Sequence, residues 1–268
     1  MYNMKNLVLY HIPHSAYSQV ARIVLAEKGV SWRDRYVMPG PPLFGNYAPE
    51  YMRLNPNGVV PTLVVDGKPI CDALKIGRFV DETMEGPLLT PKDPEACKAM
   101  ERWLDEFNHT SMRDISYGMT RGWSKRFARY TNRGRIRNLR KRLKRFPDLA
   151  ELYRAKISDI EKLAQAVTNR DHVAACLKEL DGRLDRLDQV LSEHPFIAGE
   201  NYSLADGVWT VLLARLRILS LTPLRDRPAL ASWYEKMRQR PSFESADVWE
   251  RVGFSQLAKA ALRLAVRR

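Results

Sequence analysis

Three short stretches near the amino terminus place reactive or binding groups where helices and strands begin. The first, Pro13-His14-Ser15-Ala16-Tyr17-Ser18-Gln19, lies between an apolar run and a helical pattern. A hydroxyl at a helix start sits among outward-pointing amides, and the helix dipole there favours an anion. No His–Asp set at a recognisable spacing supports Ser15 as a hydrolase nucleophile. The simpler chemistry is donation of a hydrogen bond to a bound thiolate, which raises the ionised fraction of a thiol whose free pKa is about 8.5. Plain helix capping is the alternative. The second stretch is Asn57-Gly58-Val59-Val60-Pro61-Thr62-Leu63. A proline opening an apolar strand after a glycine loop suits a cis peptide, which would turn the Val60 backbone outward to pair with a peptide-like ligand. An edge-strand proline is the other reading. The third, Asp72-Ala73, opens a helix whose amides suit a carboxylate while the Asp72 side chain suits an ammonium. Capping competes there too.

These groups depend on the elements that carry them. Residues 7–10 read as a short strand, and a helical pattern runs from Ser15 to a glycine stop at Gly29. Residues 32–37 alternate as a second strand, followed by a Pro/Gly-rich loop over 38–47. Residues 61–65 form an apolar strand, Asp66-Gly67 a tight turn, 68–70 a return strand, and 72–82 a helix. The order βαβ, loop, ββα describes a compact α/β sandwich. The prolines and glycine of 84–94 form a linker, beyond which only helices are indicated: 95–119, 121–146, 148–168 and 171–192. In the last, Val173, Leu177, Leu180, Leu184, Leu187 and Leu191 alternate spacings of 4 and 3, with Asp171 placed as the cap. Ser203 and Asp206 spell a capping box for a further helix, and a short one over 233–240 ends at Pro241.

The chain has 268 residues, 45% of them apolar, enough for a sizeable core. Its formal charge is +13, yet 12 Lys/Arg and no Asp/Glu fall between Arg121 and Phe146, leaving about +1 (13 − 12) elsewhere. The bland reading is a helix or helix pair with a solvated basic face; the sharper one is an anionic ligand, an acidic partner or an anionic membrane surface. No recognition motif for nucleic acid accompanies the patch, and no nucleic-acid partner is expected. The tail over 246–268 is amphipathic and basic. Cys71, Cys97 and Cys176 show no CxxC or CxxH pairing, which argues against a zinc site or a disulfide scaffold and fits a reducing compartment. Cys71, after a buried return strand, reads as a core cysteine. The five histidines lack ligand spacing, so no metal is expected. No signal peptide or transmembrane run is indicated, and the expected location is cytoplasmic, with a membrane periphery in view for the basic segments.

Taken together, a serine at one helix start, a pre-strand proline and an acidic residue opening the last helix would outline one groove for a small zwitterionic thiol peptide. Here the sequence resembles the glutathione transferase family. The resemblance is carried by His11-Ile-Pro-His-Ser15-Ala-Tyr-Ser-Gln with Arg22 and Glu27-Lys-Gly29, by Leu54-Asn-Pro-Asn-Gly-Val-Val-Pro-Thr-Leu-Val-Val-Asp-Gly67, and by Phe196-Ile-Ala-Gly-Glu-Asn-Tyr-Ser-Leu-Ala-Asp206. Within the family it is closest to the tetrachlorohydroquinone dehalogenase-like transferases. The resemblance implies a thioredoxin-like domain over 1–83, a linker over 84–94, an all-helical domain over 95–245 with the basic insert 121–146, and a tail over 246–268. It implies glutathione as cosubstrate, held along Val60, Pro61, Asp72 and Ala73, with Ser15 as thiolate partner and Ser18 as the weaker candidate. The second substrate, a small hydrophobic, aromatic electrophile, would lie between Arg113, Tyr117 and Arg121 on one side and His14 and Tyr17 on the other. A homodimer follows by analogy. Three departures stand out: Tyr17 where the bacterial dehalogenases have a cysteine, Val59 in place of a polar residue, and Ala73 in place of a hydroxyl that would hold the glutamyl carboxylate. Loss of one such hydrogen bond costs on the order of 1 kcal/mol and weakens binding without abolishing it. The implied activity is attack of the glutathione thiolate in conjugation, ether cleavage or halide displacement. A membrane-associated adaptor with little catalysis is the rival.

Overall fold

The computed structural model describes residues 6–40, 43–120 and 122–252, apart from the side chains of 122–125, 127 and 128. A four-stranded sheet is built from β1 (Leu7–His11), β2 (Arg33–Tyr36), β3 (Thr62–Val65) and β4 (Lys68–Cys71), in the order β2-β1-β3-β4. β1 runs parallel to β2 and antiparallel to β3. The parallel pair needs a crossover, which α1 (Ala16–Glu27) supplies. The Asp66-Gly67 turn has positive φ at both residues, +46° and +85°, the twist a two-residue hairpin requires. α3 (Ala73–Thr83) packs beside α1, and Leu9, Leu63, Val20, Val24, Ile76 and Val80 form the core between sheet and helices. One helix escaped the sequence reading: α2 (Pro49–Leu54) follows the loop, with proline at its first position.

Everything after α3 is helical: α4 (Pro94–Asn108), α5 (Met112–Gly118), α6 (Gly122–Arg145), α7 (Ala150–Ala166), α8 (Arg170–Glu193), α9 (Leu204–Ile218), α10 (Pro228–Arg238) and α11 (Pro241–Ser245). The architecture is thus a thioredoxin-like α/β unit followed by an all-α unit. α9 is buried on almost every side, as an apolar helix at the centre of a bundle must be. Its capping box forms as read from Ser203 and Asp206, and Asp206 also accepts from Ile197 N (3.0 Å) and Trp233 Nε1 (3.0 Å). The linker is clipped to both units. Lys28 and Asp81 form a buried ion pair at 3.1 Å, Asp81 accepts from Leu89 N at 2.8 Å, and Leu89 O accepts from Leu204 N at 2.9 Å.

Several boundaries differ from the sequence reading, among them the helix expected over 233–240, which begins at Pro228. The expected helix over 95–119 is two, because the chain turns at 109–111 between α4 and α5. α8 is capped by Asn169, whose side chain accepts from Asp171 N and His172 N at 3.0 and 3.1 Å, so Asp171 is inside the helix. Pro241 does not only stop α10; it opens α11.

The basic insert is a single helix, α6. Ile136, Leu139 and Leu143 join Phe44, Tyr47, Met52, Leu149, Tyr153 and Ile160 in a second apolar cluster. α6 and α7 thereby clasp the loop that follows β2, and Tyr47 O accepts from Arg142 Nη1 (2.7 Å) and Tyr153 Oη (3.1 Å). Arg126, Arg129, Arg133, Arg137, Arg140, Lys141 and Lys144 stay exposed. Over residues 136–143 the apolar side of the helix is therefore occupied by protein, while Tyr130, nearer its start, is exposed. No helix is long and apolar enough to cross a membrane among the described residues. The expectation for the tail falls mostly on 253–268, outside the described residues.

Candidate functional site

Ser15 is the N-cap of α1, and its Oγ accepts from Ser18 N at 3.3 Å. That bond uses a lone pair, so the hydroxyl proton remains for an incoming anion. The first turn of α1 contains no acidic side chain, leaving the positive end of the helix uncompensated. The turn before it is held by its carbonyls. Pro13 O accepts from Gln19 Nε2 and Arg22 Nη2, both at 3.0 Å; Ile12 O accepts from Ser15 N at 3.3 Å; His14 O accepts from Arg215 Nη2 at 3.0 Å. With the carbonyls engaged inside, the turn is fixed and its outer side is left to Ser15.

Arg22 is the centre of this arrangement. It is 3% exposed and also bonds His11 Nδ1 (3.1 Å), Ala246 O (2.6 Å) and Asp247 O (2.9 Å). His11 Nε2 in turn lies 3.1 Å from Asp34 Oδ1. Trp249 N donates to Gln19 Oε1 at 3.1 Å, so residues 246–249 are fastened to the turn rather than belonging to a free tail.

The second stretch folds as expected: the Val60–Pro61 peptide is cis. Its loop is anchored by Val59 O, which accepts from Tyr51 Oη (2.5 Å) and Asn55 Nδ2 (2.9 Å), and by Gly58 O, which accepts from Asn46 Nδ2 (2.8 Å). Gly58 has φ +56°, and a Cβ there would lie 2.9 Å from Met52 Sδ. No partner for the Val60 amide or carbonyl is found among the described residues. At the third stretch Asp72 caps α3, its Oδ1 accepting from Leu74 N (3.0 Å) and Lys75 N (3.2 Å). The Ala73 amide, first of the helix, is not among those it caps, although the Ala73 residue itself is 1% exposed. Cys71 is half-buried rather than core, and donates to Leu54 O at 3.4 Å.

From the helical unit Arg215 reaches the turn at His14 O, whereas Arg135 donates from Nε to Pro39 O (3.2 Å) and from Nη1 to Asn132 Oδ1 (3.1 Å). His14 is open to solvent at the cleft mouth, yet the surrounding protein mass and then the charges of Arg215, Arg135 and Arg22 lower its pKa to about 4. It is neutral at pH 7. Tyr17 packs edge-on to Phe107 at 5.9 Å between centroids, and burial raises its phenol pKa, partly countered by Arg113. Tyr117 is 37% exposed.

Two expected roles need correction. Ser18 has no exposed surface and its hydroxyl touches no polar protein atom, so it cannot meet a ligand in the cleft as Ser15 can. Arg113 is not a free anion receptor: it pairs both nitrogens with Asp159 at 3.1 and 3.2 Å, and Lys156 joins the same carboxylate at 3.0 Å. Arg121 lies outside the described residues. The sequence reading passed over Arg215, Arg135 and Trp249. A signal for the first existed: it interrupts the apolar run of α9. Arg135 was one charge among many, and nothing local marked it. Three cavities lie elsewhere, of about 480 Å³ against Arg133, Arg137 and Arg140, about 790 Å³ against Trp103, Val190 and Tyr202, and about 420 Å³ against Leu191, Trp233 and Lys236; none reaches Ser15, Val60 or Asp72.

A thioredoxin-like unit with a helix N-terminus and a cis-proline loop facing an all-helical unit defines a thiol-handling transferase. Residues 14–83 match the family model for the N-terminal domain of glutathione S-transferase, and 147–241 the model for its C-terminal domain. The chain is 35% identical over 249 residues to a tetrachloro-p-hydroquinone reductive dehalogenase of Sphingobium chlorophenolicum, covering 91% of this chain and 97% of that one. It belongs to the glutathione S-transferase family, enzymes whose cosubstrate is glutathione. Among solved structures, the beta-etherase LigF of Sphingobium sp. strain SYK-6 superposes with a TM-score of 0.72 at 20% identity, over 90% of this chain and 98% of that one. A theta class glutathione S-transferase of Xanthomonas axonopodis pv. citri, with glutathione bound, gives 0.65 at 22% identity over 91% and 97%. These two likenesses concern the fold.

Proposed function

We propose that this glutathione transferase ionises its cosubstrate at Ser15 and directs the sulfur at a hydrophobic aromatic electrophile. The carrying observation is the Ser15 hydroxyl: its oxygen takes the Ser18 amide while its proton is left to donate, at an uncompensated helix N-terminus. Glutathione lies along Val60 and Pro61, pairing its backbone with Val60, while its glutamyl end meets the Ala73 amide and Asp72. Its thiol loses a proton to solvent, and Ser15 donates a hydrogen bond to the sulfur anion. The anion then forms a carbon–sulfur bond as an alkoxide, phenolate or halide leaves. His14, Tyr17 and Tyr117 flank the electrophile, and Arg215 favours one bearing an acidic or phenolate group. The protein contributes proximity and thiolate stabilisation; the nucleophile is the cosubstrate's. Tyr17 offers no thiol, so the reading stops at substitution and does not extend to reduction. Assembly as a homodimer and a cytoplasmic location belong to the same proposal on family likeness.

The test is Ser15→Ala. Turnover should fall about tenfold or more with glutathione affinity within about twofold, because the lost contact is to the ionised sulfur. Equal turnover in variant and parent removes Ser15 from the mechanism.

A further inference from the structure

Away from the cleft, a carboxylate, an imidazole and a thiol meet at one point. Asp114 lies on α5, while His172 and Cys176 lie one turn apart on α8, at the i and i+4 positions that share a helix face. Asp114 Oδ2 is 2.6 Å from His172 Nε2, and Cys176 Sγ is 3.7 Å from the same nitrogen. The three ligand-type atoms all fall within 4.8 Å of one another. The approach of α5 to α8 is close because Gly118 permits it: a Cβ there would sit 2.6 Å from Val173 Cγ2. Asp114, one turn before Gly118, is on the face pressed against α8.

The geometry distinguishes two kinds of chemistry. A relay that activates a thiol sets the carboxylate on one imidazole nitrogen and the thiol on the other. Here both address Nε2, which carries one proton at most and cannot serve both. Convergence of nitrogen, sulfur and oxygen lone pairs on a shared point is instead how a tetrahedral metal is held. Zn–S and Zn–N bonds of about 2.3 and 2.0 Å at a tetrahedral angle put nitrogen and sulfur about 3.5 Å apart. The observed separation fits this. Admission of the ion requires the Asp114–His172 pair to open by less than about 1 Å. The Cys176 residue is 7% exposed, while the His172 and Asp114 side chains are 39% and 23% exposed, so the cysteine is sheltered and the ion has a way in.

We propose, against the sequence expectation of no metal, that Asp114, His172 and Cys176 bind a zinc-class divalent ion with water as fourth ligand. Sulfur and imidazole favour such a borderline ion over magnesium or calcium, which take oxygen. Binding ionises the Cys176 thiol, releases its proton, and leaves the imidazole proton on Nδ1; no electron moves. The ion pins α5, the helix that bears Arg113 and Tyr117, to α8.

The experiment is titration of the full chain, free of glutathione and kept reduced by a phosphine, with cobalt(II) chloride. Expected is one equivalent bound, with a thiolate-to-cobalt charge-transfer band that zinc displaces. Cys176→Ser should abolish the band, and Asp114→Asn should weaken binding about tenfold or more. The band should survive in a C71S/C97S double variant. Its absence from the parent protein, its persistence in Cys176→Ser, or its loss in C71S/C97S overturns the proposal, and the first and last of these stand whether or not Cys176→Ser folds.

Discussion

Arg215 of α9 donates from Nη2 to the carbonyl oxygen of His14 at 3.0 Å, placing a cation of the helical unit one residue from the Ser15 that caps α1. The two residues are 201 positions apart. The contact joins the two units where the chemistry is proposed, beside the Tyr17–Phe107 ring pair.

If Arg215 receives an acidic substrate group, Arg215→Met should cost more with phenolate-bearing aromatics than with neutral ones. A charge-assisted hydrogen bond is worth about 1.5–3 kcal/mol, so kcat/KM for the former should drop about tenfold or more. Steady-state kinetics with a matched pair of substrates measures the difference, and an equal drop for both would assign Arg215 to holding the turn alone.

Arg22 has a wider structural role. Arg22→Met strips donors from the carbonyls of Pro13, Ala246 and Asp247 and from His11 within a buried setting. A loss of about 3 kcal/mol in unfolding free energy is expected, because buried acceptors are left dry. Arg22→Lys should recover little, since one ammonium cannot span the fork. Denaturant midpoints at unchanged slope would register both effects.

His14 offers a titration. Its pKa of about 4 lies below the ordinary 6.5, so the folded protein binds fewer protons than the unfolded chain between those values. Stability from this group is therefore fully present above about pH 6.5 and is lost as pH falls towards 4. Proton NMR of the imidazole should show a midpoint near 4, and His14→Gln should flatten the acid limb of stability against pH. A midpoint near 6.5 would mean that the cleft does not crowd the ring as described.

α6 has a packing test. Leu139 is fully buried between α6, α7 and the loop at Tyr47. Leu139→Ala should destabilise by about 2–5 kcal/mol through lost burial and a residual cavity. Charge-reversing Arg137→Glu on the exposed face should stay within about 0.5 kcal/mol. Thermal or chemical unfolding of the pair separates the apolar function of this helix from its charge.

The local signals were readable along the chain because each is enforced by near neighbours. Ser15 as a cap, the cis bond at Pro61, the Asp66-Gly67 turn and the Ser203–Asp206 box need only a few residues to specify them, and all formed. The alternation of periods 2 and 3.6 likewise separated the sheet unit from the helices. Family membership followed from stretches that keep these features in order.

Contacts that depend on how remote helices pack were beyond that reach. Arg113 had the right type for an anion but spends its charge on Asp159, 46 residues away. Arg215 reaches the His14 carbonyl from α9, and Asp114 meets His172 across 58 residues only because Gly118 lets α5 close on Val173. Short-range conformational preference acts over a turn or two of backbone, whereas the partners of a charged side chain are settled by which surfaces the core brings together.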